Sequence, residues 1–261
     1  MSKFIKYFVL FQIISTANSD DFSVTLSDRK LSSNTLVIAA QEIPPYYYGV
    51  QNGEVRGVFY KIAKDVCKQE KIDCQFFTLP FRRALHYIES GKIHITMPMG
   101  LLESRKKIMT FSPEILATGY VFFGGKDDID KINDLTMFSG LIGVHTKSST
   151  EKKLKNIIKE HNLNLEIKEE TDVQDVLSKL ERKRYKYIFV NKDIANDWQN
   201  KDSSRRAKFK AYDKFLSPVN YHIAYTKNFE SKEIQKKLEK FRDGLAKYIK
   251  SPLFLKRING N

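Results

Sequence analysis

Ser148-Ser149-Thr150-Glu151 is the stretch of this 261-residue chain whose order most directly implies binding chemistry. A Ser three residues before a Glu is a capping box, so a helix starts here. Its first turn presents free backbone N–H groups at the positive end of the helix dipole, which suits an anion. The same residues also serve as a plain N-cap, and the two uses are compatible. Other chemistries find less support. The five histidines (86, 94, 145, 161, 222) fall in no metal-ligand spacing. No Ser/His/Asp or Cys/His order stands out, and no acid/base pair can be picked from the scattered glutamates. Cys67 and Cys74 are the only cysteines. One lies near the end of an expected helix and the other opens the next strand, so a short turn brings them within bridging range. A disulfide and two buried free thiols both remain open.

The elements that must hold these residues follow from apolar periodicity. Leu36–Ala40 is a continuous apolar run, as for a strand covered on both faces. Pro44-Pro45 ends it, and Asn52-Gly53 marks a hairpin. Helical spacing begins at Val58 and continues through Phe59, Ile62, Ala63 and Val66. Cys74–Leu79 reads as a strand, Phe81–Ile88 as a helix stopped by Gly91, and Ile93–Met99 as a third strand. The rhythm restarts with strands at Gly119–Gly124 and Leu141–His145, then the helix after Ser148. Leu165–Lys168 is a short strand, Thr171-x-x-Gln174 a second capping box, and Tyr187–Val190 a strand. Tyr221–Tyr225 closes the series before a long helix from Ser231 and a last turn at Ser251-Pro252. Strands alternating with helices give an α/β protein with a mainly parallel sheet. No Gly-, Ser- or Pro-rich linker separates the two series, so two lobes joined by strands are expected.

Composition sets the compartment. A basic start (Lys3, Lys6) precedes the apolar run Tyr7–Ile14, which is too short to span a bilayer. Ala17 and Ser19 then have the spacing of a signal-peptidase site, so residues 1–19 are expected to be a cleaved signal peptide. No Cys follows the run to take a lipid, and the expected location is the periplasm. The formal charge of +14 falls to about +12 without Lys3 and Lys6. Its lysines are scattered and no arginine stripe with interleaved aromatics appears, so the charge reads as a solvated surface and nucleic acid is not an expected partner.

Seven motifs in order resemble the bacterial extracellular solute-binding proteins of family 3, the amino-acid-type receptors of ABC importers. They are Pro44-Pro45-Tyr46, Asn52–Gly57, Ile62-Ala63, Glu89–Lys92, Met99–Ser112, Asp134-Leu135 and Ile142–Ser149. The resemblance runs from about Leu36 to Pro252, and the chain is a divergent member. It implies a type II periplasmic binding fold, with lobe 1 at 34–117 plus 221–261, lobe 2 at 118–220, and a hinge near Leu116–Tyr120 and Pro218–Tyr221. It also implies a site. Arg105 would grip a ligand carboxylate through its planar fork, with Gly100 in the same motif beside it. Ser148, Ser149 and Thr150 would face it from lobe 2. Tyr46 and Phe81 would be aromatic walls, with Tyr47 and Tyr48 sharing the role. Arg83 would add a second positive group, and Glu42 would take a cationic one. The acid that holds a ligand ammonium in the family falls at Lys192, with Asp193 one residue away, and His94 stands where the third strand often has Asp.

The resemblance therefore implies a monomeric binding protein without cofactor, metal or catalysis. It would capture a small anionic or zwitterionic ligand and pass it to an ABC permease or a membrane sensor. Two other classes compete: a periplasmic lyase on the same fold, similar to cyclohexadienyl dehydratases, and a ligand sensor for a membrane kinase.

Overall fold

Leu36–Ala40 forms β1, buried at every residue because it lies inside a sheet. It pairs in parallel with β4 (Cys74–Thr78) on one side and with β5 (Ile95–Gly100) on the other. The computed structural model describes residues 34–49, 54–229 and 231–259. The expected signal peptide and the Asn52-Gly53 turn lie outside the described residues. The strands flanking that turn, β2 (Tyr48–Gly49) and β3 (Val55–Arg56), do form an antiparallel ribbon.

Four helices cover this half of the sheet. In α1 (Val58–Gln69), Phe59, Ile62, Ala63, Val66 and Cys67 are buried. In α2 (Phe81–Ser90) the inward residues are Phe81, Ala84 and Ile88, and Gly91 ends the helix in the left-handed conformation that Gly tolerates. The C-terminal pair, α8 (Lys232–Tyr248) and α9 (Pro252–Ile258), packs on α1. Arg257 of α9 and Tyr248 of α8 both bond Asp65 of α1, fixing that packing. A disulfide joins Cys67 to Cys74 across the turn between α1 and β4, with Cα atoms 6.3 Å apart.

The second half repeats the pattern. Here β8 (Ser139–His145) lies between parallel neighbours β9 (Asn164–Glu170) and β10 (Tyr187–Asn191). The helices are α3 (Lys126–Ile129), α4 (Ser149–Glu160), α5 (Val173–Glu181), α6 (Lys192–Asn200) and α7 (Ser203–Lys208). Two ten-residue strands, β7 (Leu116–Gly125) and β12 (Ser217–Thr226), run side by side between the halves. They pair antiparallel, Ser217 opposite Tyr120 through Tyr221 opposite Leu116. The main sheet order is β4-β1-β5-β12-β7-β10-β8-β9, with short strands β6 (Met109–Phe111) on β12 and β11 (Phe209–Ala211) on β7.

Several local expectations need correction. The helix after β9 is capped by Asp172, not Thr171, because the Asp172 carboxylate accepts the Gln174 N–H. The segments α6, α7, β6 and β11 were not expected. All are short: β6 and β11 exist through pairing with β12 and β7, and α6 and α7 start at the side-chain caps Asn191 and Asp202. His94 takes no part in a ligand site. Its Nδ1 accepts the Val37 N–H at 2.9 Å inside the sheet, and burial pushes its pKa down to about 4.

Candidate functional site

The ends of β5, β8 and β10 and the starts of α2, α4 and α5 converge on one cavity of about 50 Å³. Its polar lining is Arg105, His145, Gln41, Asn191 and the Ser148–Thr150 helix start, and its apolar walls include Phe81, Met99, Val173, Phe189 and Ile194. Ligands of open α/β sheets bind in the crevice outside such carboxyl ends.

Arg105 sits in the short turn after β5 and is only 6% exposed. One Nη donates to the Gly100 carbonyl at 2.8 Å and the other to the Lys147 carbonyl at 3.2 Å. The guanidinium therefore ties the first half of the sheet to the loop before α4. It lies over the Phe81 ring, 5.4 Å from the centroid, a cation–π arrangement. Burial pulls its pKa down to about 10, so it stays charged at neutral pH. Among the described residues no carboxylate bonds it. A buried cation held only by neutral carbonyls is a strong potential site for an anion.

Opposite Arg105, Ser148 caps α4 by accepting the Glu151 N–H at 3.1 Å, and the Glu151 carboxylate accepts the Lys147 N–H. This is the capping box reading, with the return bond one residue earlier. Ser149 Oγ shares a 2.7 Å hydrogen bond with the Tyr120 hydroxyl of β7. Ser149 also comes so close to Gly100 that a Cβ there would lie 2.5 Å from its Oγ. Any side chain at position 100 would thus wedge β5 away from α4. His145, the last residue of β8, packs edge-on against Phe81 at 5.0 Å, and burial lowers its pKa.

Of the residues expected from sequence, Arg105, Gly100, Ser148, Ser149, Thr150 and Phe81 line this cavity. The rest do not. Tyr46 is buried beneath it, edge-on to Phe59 and Tyr221, and its hydroxyl donates to Asp193 Oδ2 at 2.6 Å. Asp193 also accepts from Thr118 Oγ1 at 2.6 Å, so two hydroxyls share its Oδ2 outside the cavity lining. Tyr47 donates to the Phe77 carbonyl, and Tyr48 lies on the β2 ribbon under Lys201. Glu42 accepts the Gly49 N–H on that ribbon, and Arg83 is exposed on the outer face of α2. The helix period explains Arg83: with Phe81, Ala84 and Ile88 inward, position 83 points out. Gln41, Tyr120, His145, Asn191 and Tyr221 were missed. Gln41, His145 and Asn191 sit at or just past strand ends, Tyr120 and Tyr221 midway along β7 and β12, and only the topology brings them together.

Among the described residues, no helix is long and apolar enough to cross a membrane, and no group of three or more potential ligands could hold a metal ion.

Parallel strand ends meeting across two antiparallel connecting strands define a type II periplasmic-binding fold. The family model for bacterial extracellular solute-binding proteins, family 3, matches residues 36–251, and the chain belongs to that family. The arginine-binding periplasmic protein of Mannheimia haemolytica is 25% identical over 171 residues, spanning 62% of this chain and 72% of that protein. An ancestral arginine-binding protein bound to arginine superposes with a TM-score of 0.73 at 23% identity, covering 87% of this chain and 97% of that one. An ancestral amino acid-binding protein, a precursor of cyclohexadienyl dehydratase, has a TM-score of 0.70 at 18% identity over 87% and 94% of the two chains.

Proposed function

We propose that this protein is an exported solute-binding clamp that captures a small carboxylate-bearing solute, an amino acid or a relative, for delivery to an ABC importer. The two lobes are residues 34–117 plus 221–261 and residues 118–220, and the paired segments of β7 and β12 serve as hinge. One observation carries the reading: a buried guanidinium with no carboxylate partner faces the N-terminus of a helix across a cavity. The fork of Arg105 would take both carboxylate oxygens. The free N–H groups of α4 would add bonds from the other lobe, and such contacts exist only when the clamp is closed, so ligand shifts the population toward closure.

A cavity of about 50 Å³ holds only a few water-sized groups. An amino acid needs more room, so loading requires the walls to part. Binding without turnover is the reading favoured here, since among the described residues the lining pairs no carboxylate with a nucleophile.

Calorimetry with a panel of amino acids and simple carboxylates tests this reading. At least one carboxylate should bind, and Arg105→Met should weaken it at least 100-fold. Equal affinity in the variant, or no carboxylate bound by the wild type, overturns the proposal.

A further inference from the structure

Among the described residues, the buried side-chain polar atoms lacking a hydrogen-bond partner are Gln41 Oε1, Gln75 Oε1 and His145 Nε2. Two of these three belong to residues lining the Arg105 cavity. Unpaired buried polar atoms are costly, so their gathering at one cavity asks for a ligand group that pairs them.

Both orphans are acceptors. Gln41 gives its amide nitrogen to Asp172 Oδ2 at 3.2 Å, which leaves the amide oxygen as the free end. The Thr171 backbone acts on the His145 ring as an acceptor would, favouring its protonated form, and Nε2 is the nitrogen without a partner. With the ring proton on Nδ1, a neutral imidazole presents a lone pair at Nε2.

We propose that Gln41 and His145 form a neutral acceptor pair selecting a ligand that carries, besides its carboxylate, an uncharged N–H donor of the carboxamide class. This rests on Arg105 as the carboxylate grip. A carboxamide NH2 offers two donors and no charge, one hydrogen for each acceptor. A guanidinium or ammonium side chain fits less well. Among the described residues no carboxylate lines the cavity; Asp193 and Asp172 stand outside its lining and each already accepts two hydrogen bonds from neutral donors. A charged side-chain end, in addition to an α-ammonium, would find no carboxylate in the lining to pair with. Val173, Phe189 and Ile194 supply the apolar wall that a methylene stem needs.

The test compares isosteres. Calorimetry at pH 7 would measure asparagine against leucine, glutamine against homoleucine, and arginine, on the wild type and on Gln41→Met and His145→Leu. Two neutral hydrogen bonds together are worth about tenfold or more. At least one carboxamide should therefore bind the wild type at least tenfold tighter than its methyl-ended partner and tighter than arginine. In each variant that preference should shrink to within about threefold while the methyl-ended ligand keeps its affinity, which also reports an intact site. If the wild type binds both members of each pair within threefold, or prefers arginine, the acceptor pair is refuted and the Arg105 grip survives. If it binds no carboxylate at all, the grip fails and the acceptor pair fails with it. The wild-type comparison decides even if a variant does not fold.

Discussion

His145 and His94 are both held neutral by burial, with opposite consequences for function and stability. The groups facing His145 are Asp172, Glu151 and Arg105 together with the Thr171 carbonyl, and desolvation outweighs the acids to lower its pKa. Its Nε2 therefore stays an acceptor from pH 8 down through the ordinary histidine range near 6.5. Affinity for a carboxamide ligand should be flat over that span and fall only at lower pH, as protonation turns the acceptor into a donor. Calorimetry across pH 8 to 5 checks this, and a loss of binding already at pH 7 contradicts it. His94 bears on stability. Its pKa is about 4 when folded against 6.5 in the unfolded chain, so below pH 6.5 the unfolded state binds more protons. Stability should then decline as pH falls from about 6.5 to 4, by roughly 3 kcal/mol from this group, and level off beneath. Denaturant titrations at pH 7, 5.5 and 4, with His94 followed by NMR, measure it.

Two elements carry separable predictions. The disulfide closes a short loop between α1 and β4, with a sequence separation of 7. Chain-entropy reasoning gives it roughly 2–3 kcal/mol, so the Cys67→Ser/Cys74→Ser double variant should lose about that much in guanidinium titrations, with ligand affinity little changed because the bridge is remote from the cavity lining. The start of α4 behaves differently, because the same residues cap the helix and line the site. Ser148→Ala should cost about 1 kcal/mol of stability and weaken carboxylate binding several-fold. A stability loss with unchanged affinity would make Ser148 a cap alone.

At the scale of the molecule, polar ties that bridge the proposed lobes include Arg105 to the Lys147 carbonyl, Gln41 to Asp172, and Tyr46 to Asp193 and Asn191. In the last, Tyr46 and Asp193 stand outside the cavity lining, so the tie can bias closure from beneath the site. Tyr46→Phe removes its donor and leaves the ring packing on Phe59 and Tyr221. Small-angle scattering should then show a larger radius of gyration in the absence of ligand, which saturating ligand restores, with affinity reduced several-fold. An unchanged radius in both states would mean the tie does not govern opening.

Local spacing made the strand–helix alternation and the cap at Ser148 legible, and the motifs of the family resemblance pointed to the two connecting strands and to Arg105 at the cavity. Each depends on local spacing or on a contiguous motif, which a linear reading can see. What only the tertiary structure decided is which candidates share a cavity. Tyr46, Asp193, Glu42 and Arg83 sit in the right segments, yet one strand pairing, one ribbon and one helix phase turn each of them elsewhere. Gln41 and His145 carry no sequence signal, since a polar residue ending an apolar strand is common. Their meaning arises where parallel strand ends from distant parts of the chain meet and leave two acceptors beside one guanidinium.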